Sequence, residues 1–452
     1  MVTHPLQLKS VGAEVPIIGF TGALGSGCTY FAEVLASEYR YEHYKLSSLI
    51  RKAAKEKRLE PTTRNLQDVG NLLRKDRGLD YLVRGTLRRV DRRWSKARNS
   101  DRPVGIIIDG IRNTAEVEAL RQFPNFYLFS VHAERDKRQE RLLHIKAFPS
   151  EGDFEKADTR DAEEMMHNGQ QVRRCNYLAD VILVNDEDVP ENTHEARKNY
   201  VRGKLDKYIG LIGQLSRGEP LEEHRPSIDE VLMTMAYCES RSSSCLKRGV
   251  GCVIARKSGE ILAAACNEVP LDEKPCIELD DGRCVRDTIK EEFAERIRHC
   301  PACGKEIDQS GLRCLVCRKK IHRFLKKCPH CSSDPEVEYV CQCGANVYRD
   351  FLPGESTASG RLLDMCRALH AEENAILNLS RTGMPVPPDA VLYTTTFPCN
   401  LCANKIAVFG IKKVVYAEPY DMKAAKALLE SQHVETKRFQ GVKSLAYFRL
   451  YR

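Results

Sequence analysis

The sequence predicts two α/β units in series, the first built on a parallel sheet and the second interrupted by a cysteine-rich insert. Three observations lead there. In the first half, short apolar runs alternate with helically spaced stretches, as a parallel sheet with crossover helices requires. One of those runs stops at a glycine-rich turn that opens a helix. The 19 cysteines are also placed unevenly: residues up to 237 hold only Cys28 and Cys175, and all the others lie between Cys238 and Cys402.

Length and composition agree with this. A chain of 452 residues fits two to four domains. Its 42% hydrophobic content is enough for ordinary cores, which excludes a fibrous or largely disordered chain. There is no apolar run of about 18 residues, and Met1 to Gly12 lacks the apolar core of a signal peptide. A soluble cytoplasmic protein with no membrane partner is therefore expected. The formal charge of +8 permits anionic partners without demanding them. In a reducing cytosol, so many cysteines point to metal or catalytic thiolates rather than disulfides. The polar stretch from Gln214 to Pro226, with two prolines and a glycine, reads as a linker. The expected divisions are a first domain at 1–214, a linker at 215–226 and a second domain at 227–452.

In the first domain, Val15 to Thr21 reads as a strand, Gly22 to Thr29 as a loop and Tyr30 to Tyr39 as a helix. The frame G-x-x-x-x-G-K-[S/T] uses glycines so that backbone N–H groups can curl around a phosphate at a helix N-terminus. Gly22, Gly27 and Thr29 fit it, with Gly25 between, but Cys28 stands where the frame has lysine. The strand–loop–helix context favours a phosphate loop over a plain glycine turn. Val104 to Asp109 is a buried-strand pattern ending in an acid, Arg112 follows three residues on, and Phe126 to Val131 is a further strand. Arg135, Arg138 and Arg141 share a helical face, and Arg160 follows in a polar stretch.

From Pro16 to Val184 this layout resembles the nucleoside- and deoxynucleoside-monophosphate kinases. The resemblance implies a P-loop kinase-like parallel sheet whose arginine-bearing helix and lid hold phosphates. It also implies a nucleotide-binding set of Gly22, Gly25, Gly27, Cys28, Thr29, Asp109 and Arg112. Without the lysine, a nucleotide-binding or regulatory role is expected rather than phosphoryl transfer. The basic stretch Arg84 to Arg98 contains the single tryptophan, Trp94. It reads as a solvated helix face with Trp94 buried in preference to an RNA contact.

The sharpest signal is His370-Ala-Glu372-Glu-Asn374-Ala, followed by Pro398-Cys399-Asn-Leu-Cys402. This H-x-E … P-C-x-x-C spacing is the zinc nucleobase-deaminase signature, in which three protein ligands leave one zinc position for water. His370, Cys399 and Cys402 are the expected ligands of a catalytic zinc. Glu372 is the expected proton shuttle between water, N3 of the pyrimidine and the departing amine. A closed structural site would need a fourth protein ligand.

From about Ile228 to Phe439 the chain resembles the deoxycytidylate deaminase group of the cytidine deaminase superfamily. The resemblance rests on that motif, on Gly410 to Tyr416 with Tyr420, and on the upstream segments Ser244 to Ile254 and Ala265-Cys-Asn267. It implies a three-layer α/β/α domain. Asn267 would bond the sugar or base, with Asn374 and Tyr420 also binding substrate.

The insert at 298–346 has Cys300-x-x-Cys303, Cys314-x-x-Cys317, Cys328-x-x-Cys331 and Cys341-x-Cys343. Eight thiolates make two structural Cys₄ zinc sites, paired either successively, as in tandem zinc ribbons, or interleaved. The basic residues between Gly311 and His330 read equally as a nucleic-acid surface or as an offset to the charge of those centres.

Taken whole, the chain resembles the bacterial anti-phage dCTP/dCMP deaminases. That implies depletion of dCTP by conversion of deoxycytidine to deoxyuridine nucleotides, a homo-oligomer, and a possible regulatory small RNA. The implied cofactors are one catalytic and two structural Zn²⁺, with a nucleotide in the P-loop domain. A polynucleotide-editing deaminase and a bifunctional kinase-deaminase are the alternative readings.

Overall fold

The computed structural model describes residues 8–97, 102–162, 164, 166–187, 189, 193–219, 225–270, 272–279, 282–288, 366–419 and 422–451. The insert at 298–346 with its eight cysteines, the basic stretch 311–330 and Tyr420 lie outside these residues.

The first unit runs β1 (Ile17–Thr21), α1 (Cys28–Tyr39), β2 (Tyr41–Lys45), α2 (Ser47–Glu56), α3 (Thr63–Arg77), α4 (Tyr81–Trp94), β3 (Gly105–Asp109) and α5 (Thr114–Leu120). It continues with β4 (Phe126–His132), α6 (Arg135–His144), α7 (Glu151–Ala162), α8 (Val172–Tyr177), β5 (Val181–Val184) and α9 (His194–Arg217). Strands β1 to β5 are parallel in the order β5-β4-β1-β3-β2. β1, β3 and β4 are buried along their whole length, as expected of a parallel sheet covered on both faces. Alternate residues divide between two cores. Ile18, Phe20, Ile107 and Phe129 pack with α1 and α9, whereas Ile17, Ile106, Ile108 and Leu128 pack with α4 and α5. The chain order reverses at β1, so the glycine loop after β1 opens at the switch point, where open α/β sheets place ligands.

The second unit contains α10 (Ile228–Ser240), β6 (Gly251–Arg256), β7 (Ile261–Cys266), α11 (Ala371–Arg381), β8 (Ala390–Thr396), α12 (Asn400–Phe409), β9 (Lys413–Glu418), α13 (Lys423–Ser431) and β10 (Glu435–Arg438). The sheet order is β10-β9-β8-β6-β7; β8, β9 and β10 are parallel, and β6 is antiparallel to both its neighbours. Helix α10 covers one face through Leu232, Met233 and Ala236. Helices α11, α12 and α13 cover the other through Ala375, Leu379, Ile406 and Leu429. This is the expected three-layer α/β/α arrangement. Gly251 permits the close approach of α10, because a Cβ there would lie 1.8 Å from the Ala236 carbonyl oxygen.

Two boundaries differ from expectation. The linker at 215–226 begins inside a helix: α9 continues through Arg217 and ends on Gly218 in the left-handed region at φ 68°. Leu215 to Arg217, the first residues of that stretch, form the helix's last turn, closed by a glycine cap. Helix α10 starts behind a capping box in which Ser227 and Glu230 satisfy each other's backbone N–H. The end of the second domain also crosses over. β11 (Gly441–Val442) pairs antiparallel with β5, and α14 (Ser444–Leu450) sends Ala446 and Leu450 into the first unit's core.

Buried charges secure this crossing. Lys443, 2% exposed, donates from Nζ to Glu418 Oε1 at 3.0 Å and to the Tyr177 carbonyl at 2.7 Å, and lies over the Tyr177 and Tyr237 rings. Glu230 accepts from Lys207 Nζ at 2.5 Å, from the Val442 N–H at 3.0 Å and from the Tyr451 hydroxyl at 2.9 Å.

Burial alone would raise the pKa of Glu418, but the charge and hydrogen bond of Lys443, with help from Arg438 and Arg248, hold it below the usual glutamate value. Replacing Lys443 with Met should leave that carboxylate buried and unpaired, at a cost of about 3–5 kcal/mol in chemical unfolding near neutral pH. A depressed folded-state pKa contributes stability that is present above the ordinary value of about 4.3 and is lost as pH falls through the folded value. The wild type should therefore lose stability on acidification below about pH 4, and Glu418→Gln should lose less over the same interval.

Candidate active site and metal centre

The second sheet delivers its functional residues at helix starts. His370 is the N-cap of α11 and Cys399 the N-cap of α12, both with extended backbone, and Cys402 lies in the first turn of α12. Strand β8 leads to this point through Phe397 and Pro398, and the Phe397 N–H is anchored on the Glu418 carbonyl at 2.9 Å. Two helix N-termini thus converge, a setting that favours thiolates.

His370 Nδ1 lies 3.3 Å from both Cys399 Sγ and Cys402 Sγ, and the three donor atoms all fall within 4.8 Å of one another. A tetrahedral zinc with ordinary bond lengths requires S–N edges of about 3.6 Å and S–S edges of about 3.8 Å. Two thiols and an imidazole at these separations fit that ion with little adjustment.

The thiols act as a pair. The Cys402 hydrogen bond, against the upward push of burial and helped by His370, draws Cys399 down to about 4. Cys402 is pushed up, because its proton bonds Cys399 in a buried setting beside Glu372. The pair therefore sheds its first proton readily, as a metal ligand must. His370 is raised by its hydrogen bond with Cys399.

Glu372 follows on the first turn of α11, 4% exposed, and burial raises its pKa. The Thr394 hydroxyl lies 3.4 Å from its Oε1. A carboxyl that is hidden from water, raised in pKa and next to three metal-type donors is suited to accept and return a proton.

The expected substrate residues are placed unequally. Asn267, 8% exposed, uses its amide to shape the 243–250 loop: Oδ1 accepts from Ser243 Oγ at 2.9 Å and from the Val250 N–H at 2.7 Å, and Nδ2 donates to the Arg248 carbonyl at 3.1 Å. Asn374 Nδ2 donates to the Cys266 carbonyl at 3.1 Å, fixing β7 against α11.

Two further contacts were not legible in the motif. Glu268 forms a backbone bridge with Leu369, immediately before His370, while its carboxylate holds Ser244. Lys405 of α12 bonds Glu373 of α11 at 2.6 Å, tying the two ligand-bearing helices together. Lys405 gives no sequence signal of this role, because its partner lies 32 positions earlier on another helix.

In the first unit, Gly25 and Gly27 adopt positive φ, 78° and 102°, and Thr29 Oγ1 donates to Asp109 Oδ2 at 2.8 Å. The Cys28 thiol is pushed up to about 12 by burial and by Asp109, so it is neutral and supplies no substitute for the lysine charge. Arg112 pairs with Asp161. Trp94 is buried with Nε1 on Glu42 at 3.0 Å, as the reading of a solvated helix face expected.

A three-layer unit that brings an imidazole, two thiols and a buried glutamate to two helix starts is that of a hydrolytic nucleobase deaminase. Residues 226–418 match the family described as the cytidine and deoxycytidylate deaminase zinc-binding region. A deoxycytidylate deaminase of Schizosaccharomyces pombe is 25% identical over 334 residues, 74% of this chain and 76% of that protein. A UPF0200 protein of Methanoregula boonei is 33% identical over 178 residues, 39% of this chain and 91% of that protein. A crystal structure of dCMP deaminase from cyanophage S-TIM5, in complex with dCMP and dUMP, is similar at a TM-score of 0.27 and 20% identity, covering 48% of this chain and 98% of that one. Residues 226–418 thus carry the zinc-binding region of the cytidine and deoxycytidylate deaminases, and through a 178-residue stretch the chain belongs to the UPF0200 family. Among the described residues, no helix is long and apolar enough to cross a membrane.

Cys402→Ser should lower bound zinc by one ion per chain in elemental analysis, measured against the wild type under the same purification.

Proposed function

We propose that this chain hydrolyses the exocyclic amine of deoxycytidine nucleotides, dCMP and dCTP, giving the deoxyuridine nucleotides and ammonia. The observation that carries the reading is the buried Glu372 two residues after a histidine that meets two cysteines. His370, Cys399 and Cys402 would hold a zinc ion. Bound there, zinc supplies a Lewis acid that makes hydroxide available from water near neutral pH.

Glu372 handles the protons. It takes one from the attacking water and delivers it to N3 as the C4–O bond forms, then carries the proton of the new C4 hydroxyl to the amine, so that the carbonyl forms as the C4–N bond breaks and ammonia leaves. Its burial supports this, because a raised carboxyl pKa suits both receiving and giving a proton near neutrality. Asn267 would bond the sugar or base, and Asn374, which fixes the β7 end, would bind substrate together with Tyr420.

The eight insert cysteines would hold two structural zinc ions. The P-loop unit would bind a nucleotide without transferring phosphate, since neutral Cys28 replaces the charge that transfer relies on. In a cell under viral attack, deamination of dCTP drains a precursor of DNA synthesis, the antiviral setting to which the whole-chain resemblance points.

Purified protein should release ammonia from dCMP or dCTP. Glu372→Ala should lower the rate by about 10²–10⁴-fold while keeping its zinc. Profiling all deoxy- and ribonucleotides beside a cytosine-containing oligonucleotide tests the substrate class. Turnover of the oligonucleotide alone would replace this reading with polynucleotide editing.

A further inference from the structure

Three arginines of the first unit, Arg112, Arg135 and Arg138, are already paired, and their acid partners all come from one helix, α7; Arg141 donates instead to the Asn185 carbonyl. Arg138, 7% exposed, makes a two-pronged contact with Asp158 of α7: Nη1 to Oδ1 at 2.5 Å and Nη2 to Oδ2 at 3.0 Å. The same Nη1 donates to the Leu24 carbonyl of the glycine loop at 2.9 Å. Arg112, which follows the acid at the end of β3, donates to Asp161 Oδ1. Arg135 pairs with Glu155 and Asp158.

Asp161 is 1% exposed, and its other oxygen has no hydrogen-bond partner among the described residues. Burial pushes the Asp161 carboxyl above the usual aspartate range, against the pull of Arg112. A buried carboxylate oxygen without a partner is costly, so Asp161 is held there chiefly by Arg112.

The rest of α7 is weakly seated. Phe154 and Asp161 are its only buried residues, and Phe154 packs on Phe148 with Arg138 over its ring. One aromatic anchor and a set of ion pairs hold the helix down. Carboxylate and phosphate offer a guanidinium the same paired acceptors, so a phosphate competes directly for the contacts that retain α7.

We propose that α7 is a built-in phosphate mimic: Asp158 and Asp161 occupy, at Arg138, Arg112 and the loop around Leu24, the place of a pyrophosphate-bearing ligand, which enters only when α7 gives way. The proposal rests on reading Gly22 to Thr29 as a phosphate loop. It is independent of the deaminase chemistry. It makes the first unit a closed receptor whose affinity is set by its own acids.

The test uses the full chain and inorganic pyrophosphate as probe. Titration calorimetry on wild type, Asp158→Asn and Asp161→Asn should show each variant binding about tenfold more tightly or better, because asparagine keeps the shape and removes the competing charge. Hydrogen exchange on the wild type, which needs no variant to fold, should show the amides of 151–162 losing protection when pyrophosphate saturates. Affinity unchanged by both substitutions, or bound pyrophosphate that leaves α7 protection intact, overturns the mimic while leaving the loop as a phosphate site. Absence of binding in all three proteins overturns both. None of these readouts is deamination, so the failure of either reading is seen separately.

Discussion

A lysine ammonium with almost no access to water joins the two halves of this chain. Lys443 lies between the carbonyls that end α8, the rings of Tyr177 and Tyr237, and the Glu418 carboxylate. A charge so placed is tolerated only with its partners in position, so the pair dictates how the sheets sit. Glu418 ends β9, pairs with Thr396 across the ladder, and receives the Phe397 N–H on its carbonyl. The turn that presents Cys399 is thus fixed from the strand end that Lys443 holds. The geometry of the His370, Cys399 and Cys402 cluster and the union of the two units depend on the same few atoms.

Within the second unit, position does much of the chemistry. The two ligand-bearing helices are drawn together by Lys405 and Glu373, and the β7 end is stitched to His370 by Glu268 and Asn374. None of these groups is required to touch a substrate to matter. They set the donor separations, and a shift of an ångström in such a site is costly. In the first unit the positive charge beside the loop comes from arginines, because Cys28 stays neutral, and arginine is the side chain best matched to an internal carboxylate.

The parts of this fold legible in the sequence are those whose signal is local. Val15 to Thr21 with its glycine loop, and Val104 to Asp109 ending in an acid, became β1 and β3 side by side. The H-x-E and P-C-x-x-C segments declared their donors by spacing alone, and the structure brings those donors together. Pairings across long separations were silent. Nothing in Gly441–Val442 announces a strand, since two residues carry no periodicity, and their partner β5 lies more than half the chain away. Asp158 and Asp161 read as ordinary polar residues of a charged stretch until folding sets them against Arg138 and Arg112. Asn267 shows what a motif position leaves unsaid: the hydrogen bonds of its amide to the adjacent loop have no local signal in the sequence.

The crossing of β11 into the first sheet bears on how the molecule is made. On the ribosome, β1 to β5 emerge long before Gly441 and Val442, so the β5 edge and the core positions that Val442, Ala446 and Leu450 fill stay open while the second unit is synthesised. A nascent chain in this interval presents an uncovered strand edge and an apolar hollow, which makes it a natural client for chaperones. Closure comes only with the last described segment, which also brings Lys443 to Glu418. Completion of the first sheet and bracing of the turn that presents Cys399 are therefore a single late event, and a chain released early would lack both.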